Sequence, residues 1–183
     1  SPPVWSPDSQ KIYFGTMEHG SNQLRVIDLN DGSLESIIDE DSALGMFGFD
    51  DDFRKLGYFS ATMLDPGQLF VKDMGTGQVH QLTNFNQELF ENKDLGSVEE
   101  IWFEGADGNE LQGWIIHPPD FDPTAKYPSI LEIHGGPLTQ YGNFFMHEFF
   151  FLAANGYVVY FSNPRGGRGY GEEHSKAIWG GWG

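Results

Sequence analysis

Residues 1–85 carry one pattern twice, and few folds can absorb such a repeat. Trp5-Ser6-Pro7-Asp8-Ser9-Gln10-Lys11-Ile12-Tyr13-Phe14 aligns with Phe49-Asp50-Asp51-Asp52-Phe53-Arg54-Lys55-Leu56-Gly57-Tyr58 at an offset of 44. Leu24 to Gly32 aligns with Leu69 to Gly77 at an offset of 45. Each copy opens on an aromatic residue and an Asp-containing turn. A β-rich stretch follows (Lys11 to Thr16; Lys55 to Ala61), then a second strand running into Asn30 to Gly32 or Gly75 to Gly77. Glycine there supplies the positive φ of a tight hairpin. A period of this length is typical of propeller blades, and two blades alone leave sheet faces uncovered, so more are expected upstream. Two unrelated β-meanders sharing turn chemistry are the alternative; offsets that agree within one residue favour the repeat.

The pattern then changes. Residues 86–96 are mostly polar and form a connector. Val98 to Phe103 and Glu110 to His117 predict a hairpin around Ala106-Asp107-Gly108-Asn109. Pro118 to Pro128 holds four prolines, which lack backbone donors, and is a loop. A strand at 129–133, a glycine turn, a helix from about Asn143 to Asn155 and a strand from Tyr157 to Ser162 follow. Asn143 suits the N-cap and Gly156 the C′ position. Phe144, Phe145, Met146, Phe149, Phe150, Phe151 and Leu152 make this helix apolar on most sides, as a helix buried between a sheet and a second domain would be. A strand–helix–strand crossover implies neighbouring parallel strands and an α/β region. The fold class expected is therefore mixed: about two blades ending a β-propeller over residues 1–90, then the N-terminal portion of an α/β domain over 91–183.

Charge divides along the same line. Residues 1–122 hold 23 acids and 6 bases, whereas residues 123–183 hold 4 of each. No basic stripe is present to replace phosphate counterions, which argues against nucleic acid. The absence of cysteine excludes disulfides, thiolate catalysis and Cys-ligated metals. No apolar run approaches the about 20 residues of a membrane span. Ser1-Pro2-Pro3 reads like a cut inside a longer protein, so the compartment stays open; a cytoplasmic protein is favoured over a periplasmic or secreted one.

His134-Gly135-Gly136-Pro137 follows the strand at 129–133 and is the sharpest local motif. Hydrolysis of an ester or amide creates an oxyanion that preorganised backbone N–H groups stabilise. Glycine lets the backbone approach without a Cβ in the way. Pro137 restricts Gly136 to extended geometry and could aim its N–H. An ordinary Gly-Gly-Pro turn explains the same four residues equally well. Asn163 to Gly171 contains neither Gly-x-x-x-x-Gly-Lys nor Gly-x-Gly-x-x-Gly, so nucleotide binding is disfavoured and a loop bordering a cleft fits better. Arg165 and Arg168 are read as structural ties between loops. His147 lacks the second histidine of a zinc-protease helix, and His19, His80, His117 and His174 have no partner spacing; neither a metal nor a cofactor is expected.

Three features together resemble the prolyl oligopeptidase family of serine peptidases, closest to its acylaminoacyl-peptidase and dipeptidyl-peptidase-like branch. They are the Trp5-Ser6-Pro7-Asp8 start, the stretch from Tyr127-Pro128 to His-Gly-Gly-Pro, and Asn163-Pro164-Arg165-Gly166 through Gly169-Tyr170-Gly171-Glu172-Glu173 with the terminal Trp179-Gly180-Gly181-Trp182-Gly183. The resemblance implies a β-propeller gating an α/β-hydrolase domain and cleavage of short peptides. By position, Gly136 would lend its N–H to the oxyanion hole and His134 would buttress that loop. No Gly-x-Ser-x-Gly occurs, so the family's Ser, Asp and His would all lie beyond Gly183, and the 183-residue chain alone is expected to be inactive. The expected partners are short peptides and the remainder of its own polypeptide, with a homo-oligomer left open. A carboxylesterase or lipase using the same loop is one alternative, opposed by the propeller-like repeats. A non-catalytic propeller binding module is another, opposed by the hydrolase-like second half.

Overall fold

The structure, a computed structural model, describes residues 1–106 and 108–181. Asp107 of the expected 106–109 turn, and Trp182 and Gly183 of the terminal Trp-Gly motif, lie outside the described residues. The chain divides into two compact units, Ser1–Gln87 with Gly142–Phe145, and Glu88–Tyr141 with Met146–Gly183.

The first unit is a pair of four-stranded antiparallel meanders. β1 (Val4–Trp5), β2 (Lys11–Glu18), β3 (Ser21–Asp28) and β4 (Leu34–Ile38) make one. β5 (Ala43–Phe49), β6 (Lys55–Ala61), β7 (Gln68–Asp73) and β8 (Val79–Gln81) make the other, and a single parallel bridge, Asn22 to Ala43, links them. The repeat holds down to individual hydrogen bonds. Ser6 N–H donates to Lys11 O at 2.9 Å and Asp50 N–H to Lys55 O at 3.1 Å. Ser9 and Phe53 both take positive φ, 59° and 53°. Gly32 and Gly77, at φ 74° and 75°, donate to Asp28 O and Asp73 O. The step from 44 to 45 arises in one connection: residues 17–22 join the paired Thr16 and Gln23, whereas the longer 61–67 joins Ser60 and Gln68. Leu24 and Ile38 of the first meander meet Leu44, Leu56 and Tyr58 of the second in the core.

The second unit begins within a short helical turn, α1 (Gln87–Phe90), in the polar connector. β9 (Val98–Glu104) and β10 (Glu110–Ile116) form the expected hairpin. β11 (Ser129–Glu132), α2 (His147–Ala154) and β12 (Val158–Ser162) form the expected crossover, with β11 and β12 parallel and the sheet ordered β11-β12-β10-β9. Gly156, at φ 88°, donates to Ala153 O, and Tyr157 N–H donates to Leu152 O; together they close α2 in a Schellman motif. The start of α2 differs from the sequence expectation. Asn143 is not its N-cap: its N–H goes to Gly20 O at 2.8 Å and its side-chain amide to Ser21 Oγ at 2.9 Å. Gly142 runs so close to Gly20 that a Cβ would sit 1.8 Å from its carbonyl oxygen. These bonds hold Gly142–Phe145 in the first unit, and the helix begins four residues late, after an extended Met146.

α2 covers one face of the second sheet. Phe149 packs on Phe161 with ring centroids 4.8 Å apart, over buried Trp114, Ile116 and Val159. Among the described residues the opposite face is bare: Leu131 is 62% exposed and, with Phe103 and Tyr160, borders a groove of about 380 Å³.

A chain of polar side chains ties the covered face to the loops. Asn163, fully buried, accepts from Tyr141 N–H at 2.7 Å and donates to Tyr141 O at 2.9 Å. Its amide also donates to the Tyr170 hydroxyl at 2.7 Å. Tyr170 in turn donates to Gln112 Oε1, and Gln112 donates to the Glu100 carboxylate at 2.8 Å. Trp102 Nε1 closes the series on the same carboxylate. Buried polar groups are costly unless satisfied, so each member depends on the next.

Burial, with the Glu100 charge adding to it, pushes the Tyr170 phenol from 10.0 up to about 12. The neutral phenol is thus favoured in the folded state. Its stabilisation is complete below pH 10 and disappears as pH rises towards about 12. Tyr170→Phe should lose about 1–3 kcal/mol at neutral pH, because it orphans Gln112 Oε1 and one Asn163 proton. It should also flatten the alkaline loss, as read by urea midpoints across that window; Tyr58 in the first unit, raised to about 12 as well, keeps its share. Leu56→Ala, at a fully buried position, should cost about 2–5 kcal/mol in the same assay.

Candidate active site

Because β11 and β12 are parallel neighbours, with Glu132 paired to Phe161, their carboxyl ends lie side by side. The segments that follow, 133–141 and 163–171, leave the sheet from one edge. In open α/β sheets ligands bind outside the carboxyl ends of the strands. The two loops are joined by main-chain bonds. Leu138 N–H donates to Gly166 O at 2.9 Å and Arg168 N–H to Thr139 O at 3.0 Å. Asn163 adds its two bonds to Tyr141. Close approach explains a glycine here: a Cβ on Gly167 would lie 3.2 Å from both Pro164 O and Thr139 O. Behind this loop, α3 (Glu172–Lys176) returns Gly166 N–H to His174 O at 2.8 Å, Ser175 Oγ donates to Gly167 O, and the His174 ring packs on Tyr170.

His134 and Gly136 sit on the first of these loops. The His134 ring is half-buried, with Nδ1 2.8 Å from Gly135 O; in the tautomer carrying the proton there, it donates to that carbonyl. Its edge meets Tyr141 with centroids 5.0 Å apart, and Nε2 is buried with no partner among the described residues. Gly135 and Gly136 are exposed, and the Gly136–Pro137 bond is cis. Among the described residues the Gly136 N–H donates to no protein acceptor. An exposed, uncommitted amide at the carboxyl end of a parallel strand can donate to an oxygen that is gaining negative charge.

Other residues fall differently from the sequence reading. Arg168 ties the loops through its backbone, while its exposed guanidinium has no hydrogen bond or ion pair among the described residues; Arg165 is engaged. His117 Nε2 lies 3.1 Å from a Glu99 carboxylate oxygen, and its ring packs on Phe121. The polar chain of Asn163, Tyr170 and Gln112 leaves almost no mark in the sequence. Its one signal is Gln112 in a β10 run whose alternate positions, Trp114 and Ile116, are core.

Comparison with known proteins bears on the same loops. Residues 143–183 match the prolyl oligopeptidase family. Across nearly its whole length the chain is 35% identical to the Uncharacterized peptidase YuxL of Bacillus subtilis, covering 99% of this chain and 27% of that protein. It is 28% identical to Dipeptidyl-peptidase 5 of Porphyromonas gingivalis, covering 98% of this chain and 26% of the relative. In three dimensions it aligns with acylaminoacyl peptidase in complex with Z-Gly-Gly-Phe-chloromethyl ketone at a TM-score of 0.84 and 30% identity, over 97% of this chain and 27% of that one. The acylaminoacyl peptidase of Pyrococcus horikoshii aligns at 0.83 and 29%, with the same coverage. The chain thus spans about a quarter of the length of the relatives it matches. Sequence motifs, residue-level matches and backbone course converge: over nearly its whole length the chain is similar to peptidases, and its residues 143–183 match the prolyl oligopeptidase family.

Proposed function

We propose that residues 1–90 are closing blades of a β-propeller, and that residues 91–183 begin the α/β-hydrolase domain of a serine peptidase acting on short peptides. Hydrogen bonds repeated at offsets of 44 and 45 support the first part. The parallel crossover with two joined loops at its carboxyl edge supports the second. The reaction class draws on the names of the relatives, which are acylaminoacyl and dipeptidyl peptidases.

The observation that carries the mechanism is the uncommitted Gly136 amide. When a serine attacks a peptide carbonyl, negative charge gathers on the carbonyl oxygen. The Gly136 N–H donates to that oxygen and stabilises it more than the ground state, because the charge is larger there. The second donor in such a fold is the amide after the nucleophile. The Ser, Asp and His belong to polypeptide beyond Gly183, which also covers the bare face around Leu131 and Phe103. His134, wedged between Gly135 O and Tyr141, fixes the loop so that the Gly136 amide needs no reorganisation during the reaction.

In the full-length polypeptide a fluorophosphonate should label one serine, while residues 1–183 alone should take up no label and turn over no peptide. Peptide p-nitroanilides should be cleaved in preference to short p-nitrophenyl esters; the reverse order would favour an esterase. Replacing the Gly136 amide by a backbone ester through semisynthesis removes the N–H and leaves every side chain in place. It should lower kcat about 10²- to 10³-fold with little change in KM. Unchanged kcat would remove Gly136 from the mechanism.

A further inference from the structure

We propose that Arg168 is a specificity-determining residue that selects peptides bearing a carboxylate near the cleaved bond; the inference rests on the peptidase reading above. The chain has 27 acidic residues against 10 basic ones, so a cation has many chances of an ion pair. Arg25 pairs with Glu18, Arg54 pairs with Asp52, and Arg165 is engaged. Arg168 alone of the four arginines is left with no side-chain partner among the described residues. Glu172, four residues on, is taken by Lys176 at 2.6 Å.

The position of Arg168 is fixed even though its guanidinium is free. Its N–H is held by Thr139 O, Gly167 before it is wedged between two carbonyls, and Tyr170 after it anchors the loop to Asn163 and Gln112. Thr139 belongs to the same turn as Gly136, whose Cβ position would lie 3.5 Å from Thr139 Cγ2. A peptide whose carbonyl docks on the Gly136 amide therefore has its neighbouring residues beside the loop that carries this cation. The planar guanidinium fork matches a carboxylate bidentately and, unlike an ammonium, gives up little hydration to do so. Two sources of that carboxylate are chemically equivalent: an acidic side chain beside the cleaved bond, or the free C-terminus of a short peptide.

The test uses the full-length polypeptide with internally quenched pentapeptides. One pair differs only as Glu against Gln beside the cleaved bond, and a second only as free C-terminal acid against amide. The wild type should favour the charged member of at least one pair by about tenfold in kcat/KM, carried by KM; which pair responds identifies the source. Arg168→Gln should bring that ratio close to one, Arg168→Lys should keep part of it, and added salt should weaken it. A wild type that cleaves these peptides with ratios untouched by Arg168→Gln overturns the role of Arg168 and leaves the peptidase reading standing. A wild type that cleaves none of them overturns both.

Discussion

The side chain of Asn163 does the work of a strand. By accepting from the Tyr141 N–H and donating to the Tyr141 carbonyl, it gives an irregular loop the pair of bonds that a β-ladder would provide. Everything at the carboxyl edge of the second sheet hangs on that pairing. The loop bearing His134 and Gly136 cannot drift from the loop bearing Gly166 to Tyr170 without leaving a fully buried amide unsatisfied. Such an amide loses its hydration on burial and regains it only through these bonds, so the arrangement is close to all-or-none. A loop held in this way can leave one of its own amides uncommitted, because its order does not depend on that amide.

Charge and burial divide the molecule in a way that suits the assignment. The acids crowd into residues 1–122, on turns where their carboxylates receive backbone N–H groups. Asp50 receives those of Lys55 and Arg54, and Asp73 those of Thr76 and Gly75, which lowers the pKa of both carboxyls. Residues 123–183 are neutral overall, and there the rings of Tyr141, Phe149 and Phe161 pack on one another.

What could be read from the sequence was what local chemistry decides. The turns at Asn30 to Gly32 and Gly75 to Gly77, the β9–β10 hairpin and the Gly156 helix stop each depend on residues a few positions apart, and the structure has all of them. The start of α2 departs from the sequence expectation because Asn143 has two uses. An asparagine before an apolar run is a good cap, but here it bonds Ser21, 122 positions away. The polar chain stayed invisible for the same reason: Tyr170 and Gln112 are 58 residues apart, and nothing in either neighbourhood announces the other. The Gly136 motif could be seen but not resolved, since an oxyanion donor and a plain turn use the same letters. The structure adds that this glycine is exposed and that its N–H meets no protein acceptor among the described residues, which no local pattern announces.

The unequal connections between the paired strands of the two meanders bear on how such a chain can change over generations. Residues 61–67 carry one more residue than residues 17–22, yet the hydrogen bonds on either side keep their partners. The period therefore belongs to the ladder and not to the count of residues. Insertions and deletions can accumulate in these connections while the fold stays put. A single residue gained or lost within residues 11–16 or 55–60 would instead turn the rest of that strand inside out, sending Leu56 or Tyr58 to water. Length variation among relatives should pool in the connections, and the strands should drift by substitution alone.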